Sequence, residues 1–452
     1  MALNKDDMKK RRAKREAQRK QQQRAKKRLQ MTLLAAVLVL GVAAFAMVRL
    51  IQGKPTEPPE DAPQATVQTT EAPTETTEPP QRLRSPITTI HIKAVGDLNV
   101  TNAMVQSGLA ANGYDFTRAF QDVAGLLSDA DLTVLNLEGN ICGEPYGTQT
   151  ASAPVELLTA LRAAGVDMVQ MANSYSIYNG LIGLSTTLEQ VRNAGLEPLG
   201  AYSSPAQFKQ NKGYTLCDIQ GIKVAFVAFT KGVGGMGMPA GNEKCVNLLY
   251  KDYDQAYRSV DTDNINSILD AVNAERPDLV IAMLHWGSEN NEEISKTQTS
   301  IVNLMKKKGV DVILGTHPHL VHKIEQDPKT GMLVAYSLGD FYGDGSRGGT
   351  NYSIILDLEI TKDSSQNVTR VTNYTYTPIY TLKENECDGF RRVVRIEEAM
   401  QAYNGNHVDK VSQSTYNAMK YALQRIHERI NDLKHEEEET TVPEETEATT
   451  GG

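Results

Sequence analysis

Cysteine is scarce in this 452-residue chain, and its four copies, Cys142, Cys217, Cys245 and Cys387, show no CxxC spacing. That excludes a thiolate zinc finger and a dithiol redox motif; up to two disulfides in three pairings, or free buried thiols, remain open. Tryptophan occurs once, at Trp286. No Gly-Lys-Ser/Thr closes the glycine-rich run 232–241, so it is not a nucleotide P-loop. There is no internal repeat, which argues against solenoids and propellers. Positive charge is missing from most of the chain. The net charge of −8 includes a basic arm, residues 1–29, with 13 Lys/Arg against 3 Asp/Glu. Without that arm and Arg49 the remainder carries about −19, which argues against a nucleic-acid groove there.

One long hydrophobic run is present. Residues 31–48 contain no charge, and 18 residues at about 1.5 Å each just cross a hydrocarbon core of about 30 Å. The predicted anchor is residues 30–52, with the basic arm held in the cytoplasm and everything after it outside a bacterial membrane. Ala43-Ala44-Phe45-Ala46 also resembles a signal-peptidase site. A nucleic-acid arm is the competing reading of the charge run, but its place against the span favours topology and anionic lipid. Residues 53–85, rich in Thr, Pro and Glu, read as an unfolded stalk, and 436–452, with seven Glu, as a disordered acidic tail.

Strand and helix signals alternate in the rest. Strands are expected at 87–95, 132–137, 166–171, 222–229, 279–284, 310–314 and 333–337. Helices are expected at 116–127, 154–165, 181–194, 264–274 and 295–308. This is the pattern of βαβ units and a largely parallel α/β sheet. Strands at 352–360 and 368–380 and a helix at 411–433 follow. A folded domain is placed at 86–385, with a helical extension at 386–435.

Several of these strands end in a residue that binds metals: Asp97, Glu138, Asn173, His285 and the pair His317/His319 around Pro318. In open α/β sheets ligands lie beyond the carboxyl ends of strands. Carboxylates mixed with imidazoles suit Mn, Zn or Fe, and two such ions about 4 Å apart would activate water and clamp a phosphoryl oxygen. Taken singly, Asp97 and Glu138 also read as helix caps and His285 as a core histidine. The run 232–241 is expected to lie over this site as a mobile loop.

Gly96-Asp97, Asn136-Leu137-Glu138, His285-Trp286-Gly287-Ser288-Glu289, Gly315-Thr316-His317-Pro318-His319 and Tyr336-Ser337-Leu338-Gly339-Asp340-Phe341 resemble, in order, the motifs of the bacterial capsule-synthesis proteins of the CapA (PgsA) family. The resemblance implies a four-layer αββα domain of the calcineurin-like metallophosphatase kind, one or two divalent metal ions, and a membrane-anchored outer domain. It implies work on poly-γ-glutamate, or another anionic envelope polymer, or within its synthase complex. A metallophosphoesterase and a non-catalytic scaffold are the alternatives. The family usually has Asn-Asn-His where this chain has Asn173-Ser174-Tyr175, Asn at Asp340 and often Gln at His322. The implied catalytic candidates are Tyr175, Glu289 and His322; Trp286 and Asp340 are substrate-binding candidates. A tyrosine, with an ordinary pKa of about 10, is a weaker acid than the histidine it replaces.

Overall fold

The computed structural model describes residues 86–386, 389–404 and 411–430. The apolar run 31–48, the stalk and the acidic tail lie outside the described residues. Among the described residues no helix is long and apolar enough to cross a membrane.

In chain order, β1 is Ile87–Asn99, α1 Thr117–Ser128, β2 Leu132–Glu138, α2 Glu156–Ala163, β3 Met168–Gln170, α3 Gly180–Asn193, β4 Glu197–Leu199, β5 Tyr214–Ile219, β6 Ile222–Thr230, α4 Thr262–Ala274, β7 Leu279–His285, α5 Lys296–Lys307 and β8 Val312–Thr316. Then come β9 Ile324–Gln326, β10 Leu333–Ala335, β11 Asp340–Tyr342, β12 Tyr352–Asp363, β13 Val368–Leu382, β14 Arg392–Arg395, α6 Ile396–Asn404 and α7 Gln413–Ile430.

These strands form two sheets, as the family resemblance implies, rather than the single sheet that alternation alone suggests. One runs β14-β13-β12-β1-β2-β3-β4, with β11 also paired to β1; the other runs β9-β10-β8-β7-β6-β5. Each has a parallel half built from βαβ units and an antiparallel flank. Alternation along the central strands fixes the layers. In β6, Val224, Phe226 and Ala228 join the core shared with the first sheet. Ala225, Val227 and Phe229 point the other way, into a second core with Ile265, Ile268, Leu269 and Val272 of α4 and Ile301 and Met305 of α5. On the far side of the first sheet lie α1, α2 and α3. The order is therefore helix, sheet, sheet, helix. Strands covered on both faces need apolar residues at every position, which is why β6, β7 and β8 read as continuous Val/Ile/Leu runs.

The stretch after Glu386 adds to this core. Arg392–Arg395 pairs with β13, and Val393, Val394, Met419, Ala422 and Ile426 are buried. The helix starting after Ser295 is fixed by a capping box between Ser295 and Gln298. Cys142, Cys217 and Cys245 carry free thiols.

Candidate metal centre

Strand register gathers the site. Asp97 sits in β1 between Asn136 of β2 and Asp340 of β11. His285 ends β7 between Thr316 of β8 and Thr230 of β6. The first sheet thus supplies Asp97, Asn136, Glu138 and Asp340, and the second supplies His285 and the loop with His317 and His319. Two glycines permit the approach of their strands. A Cβ on Gly96 would lie 1.7 Å from the Gly339 carbonyl oxygen, and one on Gly315 2.0 Å from that of Tyr336.

The loop after β8 is strained. Both histidines flanking Pro318 have positive φ, +93° at His317 and +60° at His319. Such backbone costs on the order of 1–3 kcal/mol per residue and persists where surroundings impose it. Here the His317 N–H donates to Asp97 Oδ2 at 3.0 Å, across 220 residues of sequence. Although it precedes Pro318, His317 adopts positive φ rather than the extended backbone usual before proline.

Glu138 Oε1 lies 3.0 Å from His285 Nε2, yet accepts no hydrogen bond; His317 Nδ1 is likewise buried without a partner. Glu138, His285 and His317 bring ligand atoms within 4.8 Å of one another, as do Asp97, His319 and Asp340, and Glu289, His317 and His319. Unpartnered lone pairs converging in a buried place fit a divalent cation. The electrostatics agree. Asp97, Glu138 and Asp340 are all buried, and like charges so close are costly without a counter-ion. Burial, reinforced by Glu138, raises Asp97 to about 7, and burial raises Glu138 to about 7. Burial drops His285 to about 3 and holds His317 well below its usual range, so both are neutral and offer a lone pair. Burial alone would lower His319, but Asp340, Glu138 and Asp97 outweigh it and hold it well above.

The surrounding contacts orient these groups. Asp340 Oδ1 lies 2.7 Å from His319 Nδ1, leaving Nε2 to face Glu138 Oε2 at 3.8 Å. Asn136, which belongs to the Asn136-Leu137-Glu138 motif but is not among the expected site residues, donates from Nδ2 to Asp97 Oδ1 and accepts from Asn173 Nδ2 at 3.1 Å. Asn173 also donates to the Leu137 carbonyl at 2.6 Å and accepts the Tyr175 N–H at 3.0 Å, so its amide holds the scaffold together. Thr316 Oγ1 is 3.1 Å from His285 Nδ1, and Ser174 Oγ 3.1 Å from His285 Nε2. The loop 232–241 does reach this rim: a Cβ on Gly234 would lie 2.9 Å from the Ser174 carbonyl oxygen. Asn140 supports the same rim by donating to the Tyr175 carbonyl.

Asp97, Glu138, His285, His317, His319 and Asp340 therefore converge, with Glu289 at the exposed edge. Asp340 acts on His319 rather than facing solvent as a substrate-binding group would. Tyr175 stands at the rim, where burial, with Glu138 and Glu289 adding, pushes it up to about 12. Two expected site residues are elsewhere. Trp286 is fully buried in the second core, stacked on Tyr336 and donating from Nε1 to the Tyr336 carbonyl at 3.0 Å. His322 faces the Asn291 carbonyl at 2.8 Å and lines a cleft with Glu292, Lys323, Arg425 and Arg429.

A helix–sheet–sheet–helix domain with a buried carboxylate–imidazole cluster at the meeting edge of its sheets defines a candidate divalent-metal protein. The chain belongs to the bacterial capsule synthesis protein family PGA_cap, whose model matches residues 91–345. It is 26% identical over 245 residues to the capsule biosynthesis protein CapA of Bacillus anthracis, covering 52% of this chain and 55% of the relative. It is 25% identical over 232 residues to the PGA biosynthesis protein CapA of Bacillus subtilis, covering 51% and 57%. The chain thus spans little more than half the length of the curated relatives it matches. Among solved structures it is similar to the calcineurin-like phosphoesterase YfkN of Bacillus subtilis, at 15% identity and a TM-score of 0.38, covering 76% of this chain and 99% of that one.

Proposed function

We propose that this protein is a membrane-anchored, outward-facing member of the capsule-synthesis family. Its metal centre acts on, or escorts, an anionic envelope polymer such as poly-γ-glutamate. The observation that carries the reading is the convergence of Glu138, His285, His317, His319 and Asp97, with buried unpartnered atoms on Glu138 and His317. A bound Mn, Zn or Fe ion would supply Lewis-acid polarisation of a phosphoryl or carbonyl oxygen. The chain's own residues hold and orient: His285 and His317 offer neutral nitrogens, Asp340 fixes the His319 ring, and Asn136 fixes the Asp97 carboxylate. Anchoring by residues 31–48 places the folded part outside, among the polymer and its synthase. Deletion tests this reading: surface poly-γ-glutamate or another envelope polymer falls. Unchanged polymer in every fraction contradicts it.

A second reading is a scaffold subunit that binds metal without hydrolysis. Tyr175 favours it, since a phenol held at about 12 stays protonated at neutral pH and is a poor proton donor to a leaving oxygen. Turnover of an aryl phosphate by the metal-loaded full chain separates the readings. Hydrolysis supports a metallophosphoesterase; metal uptake without hydrolysis supports the scaffold.

A further inference from the structure

An acidic domain that handles an acidic polymer needs local cations, and two of them lie at the rim. Lys231 follows β6; its N–H donates to the His285 carbonyl, and its Nζ donates to the Gly287 carbonyl at 2.7 Å and lies over the Tyr257 ring. Lys231 is held by these contacts. Arg347 is not. It is carried by the Gly343-Asp344-Gly345-Ser346-Arg347-Gly348-Gly349 loop, which leaves β11 three residues after Asp340. The loop's base is fastened: Arg391 donates to the Gly343 carbonyl at 3.0 Å and Lys383 to the Gly345 carbonyl at 2.9 Å. Its tip is exposed. Arg347 Nη1 lies 3.8 Å from Glu289 Oε2, with the two side chains 65% and 53% exposed. An ion pair that open and that long contributes little and exchanges readily. Its partner Glu289 shares ligand-distance geometry with His317 and His319, and the charge of Arg347 is felt at Tyr175.

We propose that Arg347 is a substrate-binding residue that grips an oxyanion, phosphate or carboxylate, of a substrate at the metal centre, with Glu289 occupying the guanidinium until substrate arrives. The inference rests on the metal-centre reading above. A planar guanidinium takes such oxyanions in a bidentate manner, and the exposed side chain is free to turn from Glu289 toward the ligand. Lys231, fixed by its contacts, adds positive potential at His285 and His317 without needing to move.

The test uses the metal-loaded full chain and two probes, inorganic phosphate and a γ-linked glutamate dimer, with binding measured by calorimetry and metal content measured in parallel. Wild type binds one probe more tightly, which names the oxyanion. R347A weakens that binding by about tenfold to a hundredfold at unchanged metal content, and R347K recovers part of it. Equal binding by wild type and R347A overturns the role of Arg347 alone. Failure of metal-loaded wild type to bind either probe overturns the proposed function with it.

Discussion

Asn136→Leu replaces one buried carboxamide with an apolar group of nearly the same size and leaves behind two hydrogen-bond partners, Asp97 and Asn173, and a longer contact at 3.4 Å, His285 Nδ1. The side chain is fully buried, so no water replaces it. Asp97 Oδ1 loses a charge-assisted hydrogen bond, worth about 1.5–3 kcal/mol. Asn173 loses one acceptor but keeps the Leu137 carbonyl, a loss of about 0.5–1.5 kcal/mol. Together these predict a destabilisation of about 2–4.5 kcal/mol. Because Asn136 also fixes the direction of the Asp97 carboxylate, metal affinity falls about 10- to 100-fold. Denaturant unfolding of the full chain, with and without added Mn or Zn, reads both effects. A variant within about 0.5 kcal/mol of wild type that binds metal equally well refutes the argument, because that is the range of an ordinary surface change.

Other outcomes follow from the same contacts. Trp286→Phe leaves the Tyr336 carbonyl without its donor and opens space in the second core, so it costs about 2–3 kcal/mol in unfolding experiments while metal and anion binding stay unchanged. Asp311 is raised by burial to about 6, against an ordinary 3.8 and opposed by the Val280 N–H. The folded state therefore binds a proton that the unfolded chain releases; this stabilisation is fully present below about pH 4 and lost as pH rises through about 6. The stability of Asp311→Asn relative to wild type should then be greater at pH 8 than at pH 4, and an equal difference at both would contradict the burial. Restoring Asn and His at positions 174 and 175 raises aryl-phosphate turnover if the centre is hydrolytic, and leaves it at background if the protein is a scaffold.

How far the sequence discloses this depends on what each signal measures. The ends of β1, β2, β7 and β8 are legible because a buried apolar run stops at a polar residue, so Asp97, Glu138, His285 and His317 stand out. Trp286 is misleading because it adjoins a ligand in sequence. Neighbours on extended backbone point to opposite faces, so His285 turns toward the other sheet and Trp286 toward α4 and α5. The same alternation could have revealed Asn136, which shares a face with Glu138 two residues on. His322 lies only three residues past His319, but the chain has turned away by then. The division into two sheets is hidden from strand–helix alternation, because each has its own parallel βαβ half; it enters only through the family resemblance. One local sign of the second sheet's flank was present: Gln220-Gly221, both at positive φ, form the two-residue hairpin turn joining β5 to β6. No spacing rule brings Asp340 to His319; that contact needs β11 laid beside β1.

The central claim is that donors from both sheets hold one divalent centre. Metal analysis of the full chain, intact and as His317→Ala, tests it most directly. The intact chain should hold at least one Mn, Zn or Fe tightly, with most of it lost from the variant although the fold is retained. A wild-type chain that retains no metal after equilibration with these ions, or a variant that holds as much as wild type, would contradict it.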